Sequence, residues 1–328
     1  MAAEGGGNIV WFTYTGADSE QIPHDATHIT IAVEVVPPNA FEGHRNVVEV
    51  ICHKDVKKIG RSAFAHCPSL RRVIMPGVKI VKMWAFYECE ILTDVECGEL
   101  EIIGQQAFGV CTSLRSINLP SVRIVGEWAL VQCIALTEVK FGNKLERIDY
   151  GAFFNCISLE RITLPLTDGL FTEDDAFQRC DNLKHVDLVE GVHETIAALQ
   201  LEEWRNDVNR EIDSIKQILP NASANLRGDN GEKAWAIRRW MRSVLRKIIH
   251  YQAEHRRVLD EGVTSALELA LPRDTVINSV LPFLELPSNA FEVEYDVEDL
   301  FIFDDEDGDW SDENRHTCCC LRKLWPFR

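Results

Sequence analysis

Eleven cysteines are the residues of this chain best suited to chemistry. Six of them, Cys67, Cys89, Cys111, Cys133, Cys156 and Cys180, recur at intervals of 22, 22, 22, 23 and 24 residues, and Cys318, Cys319 and Cys320 are consecutive. Thiols at such spacings could pair as disulfides, hold zinc or act as nucleophiles. Stacked copies could bring neighbouring cysteines within the roughly 4.4–6.8 Å Cα separation of a disulfide. Against zinc, no Cys-x-x-Cys pair occurs. Against disulfides, Met1–Gly7 lacks a basic stretch leading into an apolar one, which points to an intracellular, cytoplasmic and reducing location. One cysteine per copy also suits an apolar ladder, since a reduced cysteine behaves as a small buried hydrophobe. No phosphate-cradling glycine loop, His-Glu-x-x-His or Gly-x-Ser-x-Gly motif is present. The expectation is therefore no catalytic residue, no cofactor and no metal site.

The elements that would position these cysteines are repeats. Each of the six follows an Ala-Phe pair or its equivalent (Ala63-Phe64, Ala85-Phe86, Ala107-Phe108, Ala129-Leu130, Ala152-Phe153, Ala176-Phe177) by three residues. Three residues beyond each cysteine stands a leucine: Leu70, Leu92, Leu114, Leu136, Leu159 and Leu183. Three further on stands Val73, Val95, Ile117, Val139, Ile162 or Val186. A degenerate copy precedes them, with Ala40-Phe41 followed by His44, Val47 and Val50, making seven copies over 37–196. The unit reads A-F-x-x-C-x-x-L-x-x-[IV]-x-[LMF]-P, and its end alternates apolar and polar as a half-buried strand does. A unit this short cannot bury its own apolar face, so neighbours must stack into a continuous core.

This unit resembles the BspA-type leucine-rich repeat. The lead-in Ile22–Ile31 and the helical sequence after Glu194 resemble an algal branch of that family, which is also widespread in other unicellular eukaryotes. The resemblance implies an α/β repeat solenoid, a leucine-rich-repeat horseshoe, that binds another macromolecule and carries no catalytic residues. Departures stand at Leu130, which replaces Phe, and at Val189, which replaces Pro.

Alternation directs the branched residues inward and their neighbours outward, onto the predicted concave side. The outward residues are Arg72 and Ile74, Asp94 and Glu96, Ser116 and Asn118, Glu138 and Lys140, Arg161 and Thr163, and His185 and Asp187. They vary while the inward positions repeat, as on a binding surface, although any solvated sheet face is also polar and variable. They include neither Trp nor Tyr anchors, nor the basic stripe with interleaved aromatics that single-stranded nucleic acid requires.

Beyond the repeats the period becomes helical. Leu201, Trp204, Val208, Ile212, Ile215 and Leu219 share one helix face, which Pro220 should end. A polar loop over 221–231 leads to a second helix from 232, with the seam Ile237, Met241, Val244, Ile248, Tyr251, His255 and Val258. The two should form an antiparallel hairpin covering the open end of the solenoid. Further helical segments are expected at Val263–Leu271 and near Thr275–Leu281. From Lys233 to Val258 eight Lys/Arg face one Glu254. Trp240, Val244 and Ile249 among Arg238, Arg239, Arg242, Arg246 and Lys247 resemble a calmodulin-type or membrane-surface helix, although an ordinary amphipathic helix with a solvated basic back has the same pattern and is the commoner case.

Residues 292–313 hold twelve Asp/Glu and no Lys or Arg, a composition expected to be disordered, which would either solubilise the chain or screen the basic helix. Cys318, Cys319 and Cys320, beside basic and aromatic residues, fit an S-acylation site or a flexible end. The domain reading is thus a lead-in over 1–36, repeats over 37–196, a helical region over 197–286 and a tail over 287–328. The 328 residues carry a formal charge of −18, which repels nucleic acid. The functional expectation is a monomeric, non-catalytic scaffold whose concave face binds a protein. The alternative is a membrane-peripheral adaptor held by the basic helix or the cysteine tail.

Overall fold

The computed structural model describes residues 9–17, 21–167, 169–189, 192–199, 201–221 and 232–267, all within the compact unit Met1–Leu286. Strands follow in the order β1 (Trp11–Tyr14), β2 (His28–Ile31), β3 (Val35–Val36), β4 (Glu49–Cys52), β5 (Lys58–Ile59), β6 (Arg72–Ile74), β7 (Ile80–Val81) and β8 (Asp94–Glu96). They continue with β9 (Ile102–Ile103), β10 (Ser116–Leu119), β11 (Ile124–Val125), β12 (Glu138–Phe141), β13 (Arg147–Ile148), β14 (Arg161–Leu164), β15 (Phe171–Thr172) and β16 (His185–Leu188). All pairings are parallel, so the chain winds as a β-solenoid. The expected strand of each repeat is present, and a second one accompanies it. The longer strands form a sheet in the order β1-β2-β4-β6-β8 and another in the order β10-β12-β14-β16; the two-residue strands form one sheet from β3 to β15. Two residues are too few to display a periodicity, which is why alternation alone reveals only the long strand.

The inward ladder follows the motif. Ala, Phe, Cys and Leu of the six regular copies are buried, from Ala63, Phe64, Cys67 and Leu70 through Ala176, Phe177, Cys180 and Leu183. Rings of successive coils lie face to face: Phe41–Phe64 at 4.8 Å, Phe64–Phe86 at 5.3 Å and Phe86–Phe108 at 5.2 Å. Leu130 interrupts this stack. Phe141, standing where other coils have Met75, Cys97 or Leu119, meets Phe153 of the next coil edge-on with centroids 6.4 Å apart.

The Ala-Phe segment is a third side of each coil. Residues before Ala and before Cys adopt positive φ, as at Ser62 (51°), His66 (57°), Gln106 (51°) and Val110 (60°). Every second N–H group of the segment points to the next coil, while those of Ala63 and Ala65 bond within the coil, to Gly60 and Ser62. Ser62, Phe64 and His66 donate to the carbonyls of Met83, Ala85 and Tyr87 in the next coil at 3.0, 2.8 and 2.8 Å. The left-handed conformation costs about 1–2 kcal/mol per non-glycine residue. These bonds offset that cost by satisfying buried backbone donors.

Helices α1 (Val192–Ala197), α2 (Glu202–Asn221) and α3 (Glu232–Leu267) follow. The expected hairpin forms: α2 packs against α3 and against β16, and α3 against the 3-10 turn Asp174–Phe177 of the last coil. Val208, Ile215 and Leu219 are buried with Ile237, Met241, Val244 and Ile248. Three expectations change. Leu201 is exposed, because it precedes the helix. Pro220 lies inside the last turn of α2. The segment beginning at Val263 continues α3 without a break up to Leu267. The side chains of His255 and Val258, the 222–231 loop, the segment near 275–281, the acidic stretch 292–313 and Cys318, Cys319 and Cys320 lie outside the described residues. No described helix is long and apolar enough to cross a membrane.

Candidate protein-binding face

Register aligns the outward residues of the long strands in two rows. One runs Trp11, His28, Glu49, Arg72, Asp94 on the first sheet and Ser116, Glu138, Arg161, His185 on the second. The other runs Thr13, Thr30, Ile51, Ile74, Glu96 and then Asn118, Lys140, Thr163, Asp187. All twelve residues singled out from the sequence therefore lie on the solvent side of the long-strand sheets, exposed or half-buried. Val73, Ile117, Val139, Ile162 and Val186 are buried as expected; Val95 is half-exposed.

Val95 lies where the face divides. Strands β8 and β10 are not paired, although β9 and β11 behind them are. Here Cys97-Gly98 stands where other coils carry Met75-Pro76 or Leu119-Pro120. A Cβ on Gly142, the equivalent of Gly98 two coils on, would fall 2.0 Å from the Pro120 carbonyl oxygen, whereas a Cβ on Gly98 would meet nothing within 4 Å. The backbone at Gly98 has thus drawn away from the preceding coil.

Many charges on the face are matched across coils. Arg72 Nη2 donates to Glu96 Oε1 at 2.6 Å, and its Nη1 lies 3.6 Å from Glu49. Arg161 Nη1 donates to Asp187 Oδ2 at 2.5 Å, and within a single coil Lys140 lies 3.3 Å from Glu138. Hydrogen bonds to Glu96 and Asp187 push the pKa values of Arg72 and Arg161 further up, so both stay cationic throughout the accessible pH range. Exposed pairs of this kind contribute little to stability, because solvent screens them. They fix where charge lies, which bears on selectivity toward a partner.

The structure adds six residues to this face: Trp11, Thr13, His28, Thr30, Glu49 and Ile51. The expected absence of Trp is corrected, because β1 pairs with β2 and places Trp11, 55% exposed, with its ring centroid 4.8 Å from that of His28. Signals for His28, Thr30, Glu49 and Ile51 were present in the sequence. Glu49 and Ile51 flank Val50 of the degenerate copy, and His28 lies in the lead-in strand.

The thiols belong to the interior. Cys52, Cys67, Cys89, Cys97, Cys111, Cys133, Cys156 and Cys180 are free and buried. Each of the six ladder thiols donates to a carbonyl of the preceding coil: Cys67 to Phe41 at 3.2 Å, Cys89 to Phe64 at 3.1 Å, and Cys180 to Phe153 at 3.0 Å. A branched aliphatic could fill this space but not donate there. Burial pushes Cys52 and Cys97 up to about 12 and holds Cys89, Cys111 and Cys156 well above the ordinary thiol value. A thiol kept protonated is neither a nucleophile nor a metal ligand. Among the described residues no three His, Cys, Asp or Glu side chains converge as a metal site.

The basic helix is reassigned in part. Trp240 and Val244, invoked for a calmodulin-type or membrane-surface helix, are buried, and Trp240 Nε1 donates to the Glu211 carbonyl at 2.9 Å. Lys247 lies 2.9 Å from Asp207 and 3.3 Å from Glu211 of α2. Arg238 donates to the carbonyl of Thr172 in the last coil.

Residues 34–122 and 101–199 match the family model described as the BspA type leucine rich repeat region, with six copies. A leucine-rich repeat protein from Bacteroides ovatus is similar at 27% identity, with a TM-score of 0.40, over 52% of this chain and 47% of its own. The chain thus spans about half the length of that protein. A leucine-rich repeat protein of T. pallidum is 24% identical over 57% of this chain and 83% of its own, with a TM-score of 0.36. Human 5T4 is 15% identical over 55% of this chain and 78% of its own, with a TM-score of 0.32. No curated protein matches.

Proposed function

Because this chain belongs to the BspA-type leucine-rich repeat family, whose fold serves in general as a scaffold for protein interactions, we propose that it is a non-catalytic scaffold that binds a protein partner on its long-strand face. One observation carries this reading. Inward positions repeat coil after coil, while the outward rows vary, from Trp11 and Thr13 to Asp94 and Glu96 on one sheet and from Ser116 and Asn118 to His185 and Asp187 on the other. A surface serving only solubility has no need for Trp11, Ile51 and Ile74 among fixed ion pairs. Those residues combine an aromatic anchor and apolar area with a polar surround, the composition of an interface centre and rim.

The test is positional. A photo-crosslinking amino acid placed at Asn118 or Thr163 should capture one partner, and the same group at Gln105, behind β9, should not. Trp11→Ala should then weaken the captured complex by about 2 kcal/mol, roughly thirtyfold, if Trp11 is a hot spot. Equal capture from Gln105 and Asn118 would sink the assignment of this face.

A further inference from the structure

The cations of α3 from Lys233 to Lys247 divide into two groups. Those on its inner sides have structural partners. Lys233 donates to the carbonyls of Cys180, Asp181 and Leu183, Arg238 to that of Thr172, and Lys247 pairs with Asp207 and Glu211. On the outer side Trp235, Arg239, Arg242, Arg246 and Ile249 follow at spacings of 4, 3, 4 and 3, a single stripe of one helix. Trp235 and Ile249 are 53% and 55% exposed, and the guanidinium carbon of Arg239 lies 5.2 Å from the Trp235 ring centroid. Among the described residues Arg242 and Arg246 are exposed and meet no carboxylate.

We propose that this outer stripe of α3 is a second docking surface, distinct from the long-strand face, and that its occupant is an acidic peptide segment. The stripe is a line of cations on a chain whose formal charge is −18, so it complements a negative ligand that most of the surface would repel. Arginine presents a planar fork that takes a carboxylate in bidentate fashion. The stripe rises about 21 Å from Trp235 to Ile249, the length of about six residues of extended chain, and its three arginines occupy about 10.5 Å of it, which suits carboxylates spread over about three of those residues. Trp235 and Ile249 give apolar contact at either end. A long phosphate polymer is disfavoured by the charge around the stripe. An anionic membrane is disfavoured because Trp240 and Val244, the further apolar residues an inserting helix would use, are sequestered in the hairpin core.

The test measures fluorescence anisotropy of a labelled peptide with the sequence of residues 304–313, against a control with every Asp and Glu replaced by its amide. Two full-length proteins are compared: the natural chain, and one carrying Asp304→Asn, Asp305→Asn, Glu306→Gln, Asp307→Asn and Asp309→Asn. Binding of the acidic peptide but not the control should weaken with salt, and by at least about tenfold with Arg239→Glu, Arg242→Glu and Arg246→Glu together. Binding by the substituted chain alone also supports the proposal, and names the chain's own acidic stretch as the competing occupant. No binding to either protein, or binding indifferent to the arginine reversals, overturns it. So does arginine-dependent capture by phosphatidylserine vesicles without peptide binding.

Discussion

Raising the pH should unfold this protein through its buried thiols. Cys52, Cys89, Cys97, Cys111 and Cys156 all titrate above the ordinary value of 9.0 in the folded chain, because burial disfavours the thiolate. The unfolded chain would release those protons near 9.0 while the folded chain keeps them. The native state then binds more protons, and stability falls as pH rises. Stability is thus fully present below pH 9 and is lost progressively toward the folded values, about 12 for Cys52 and Cys97. Each thiol costs about 0.4 kcal/mol at pH 9 and about 1.4 kcal/mol at pH 10 by this linkage. Five together cost about 2 and about 7 kcal/mol, against a total stability of about 5–15 kcal/mol for a typical domain. The assay is urea unfolding followed by circular dichroism between pH 7.5 and 10.5 under reductant. Lysines and tyrosines titrate in the same range, so the decisive quantity is a difference. Cys52→Ala with Cys97→Ala should reduce the limiting slope from about 6.8 to about 4.1 kcal/mol per pH unit. Identical pH dependence in the two proteins would refute the assignment of these thiols as a buried, protonated ladder.

Two further substitutions probe the packing and the cap. Leu130→Phe should destabilise by about 1–3 kcal/mol through overpacking, and adding Phe141→Leu should restore most of it; the coupling is read from a double-mutant cycle of urea midpoints. Lys233→Met should cost about 2–3 kcal/mol by leaving carbonyls of the last coil without their donor. Amide exchange should accelerate over 171–189 while coils from 49 to 119 keep their protection, because each coil leans mainly on its neighbours.

The inward ladder was legible because burial in a stack imposes the same side-chain volume at every rung, and Phe64, Phe86 and Phe108 obey it. The edge-on meeting of Phe141 with Phe153 was not legible, since the repeat unit specifies what each position holds and not which ring of the next coil it touches. Trp11 escaped because β1 precedes the first Ala-Phe copy. It joins the face through its pairing with β2, a relation that no local pattern announces. The seam Ile237, Met241, Val244, Ile248 was found from its spacing, yet Trp240 lies off that seam and is equally buried. The reason is that α3 packs against both α2 and the last coil, so it hides more than one stripe, whereas heptad spacing detects one.

That sandwiching also accounts for part of the basicity of α3. A solenoid ends in backbone groups with no following coil to bond them. Before each long strand an N–H donates to a carbonyl of the coil behind, as Thr93 does to Arg71 at 2.9 Å and Lys184 to Glu160 at 3.1 Å, so these carbonyls point forward. The last coil needs donors that no later coil supplies. The backbone of a helix laid across it provides few, because beyond the first turn its own N–H groups are engaged internally. Long cationic side chains can, and Lys233 and Arg238 reach the carbonyls of Cys180, Asp181, Leu183 and Thr172. Burial lowers the pKa of Lys233 despite that role, so its placement has a cost that unmet carbonyls would exceed. Capping therefore explains Lys233 and Arg238, and the brace to α2 explains Lys247. Neither explains Arg239, Arg242 and Arg246, whose cations face away from everything the cap must hold.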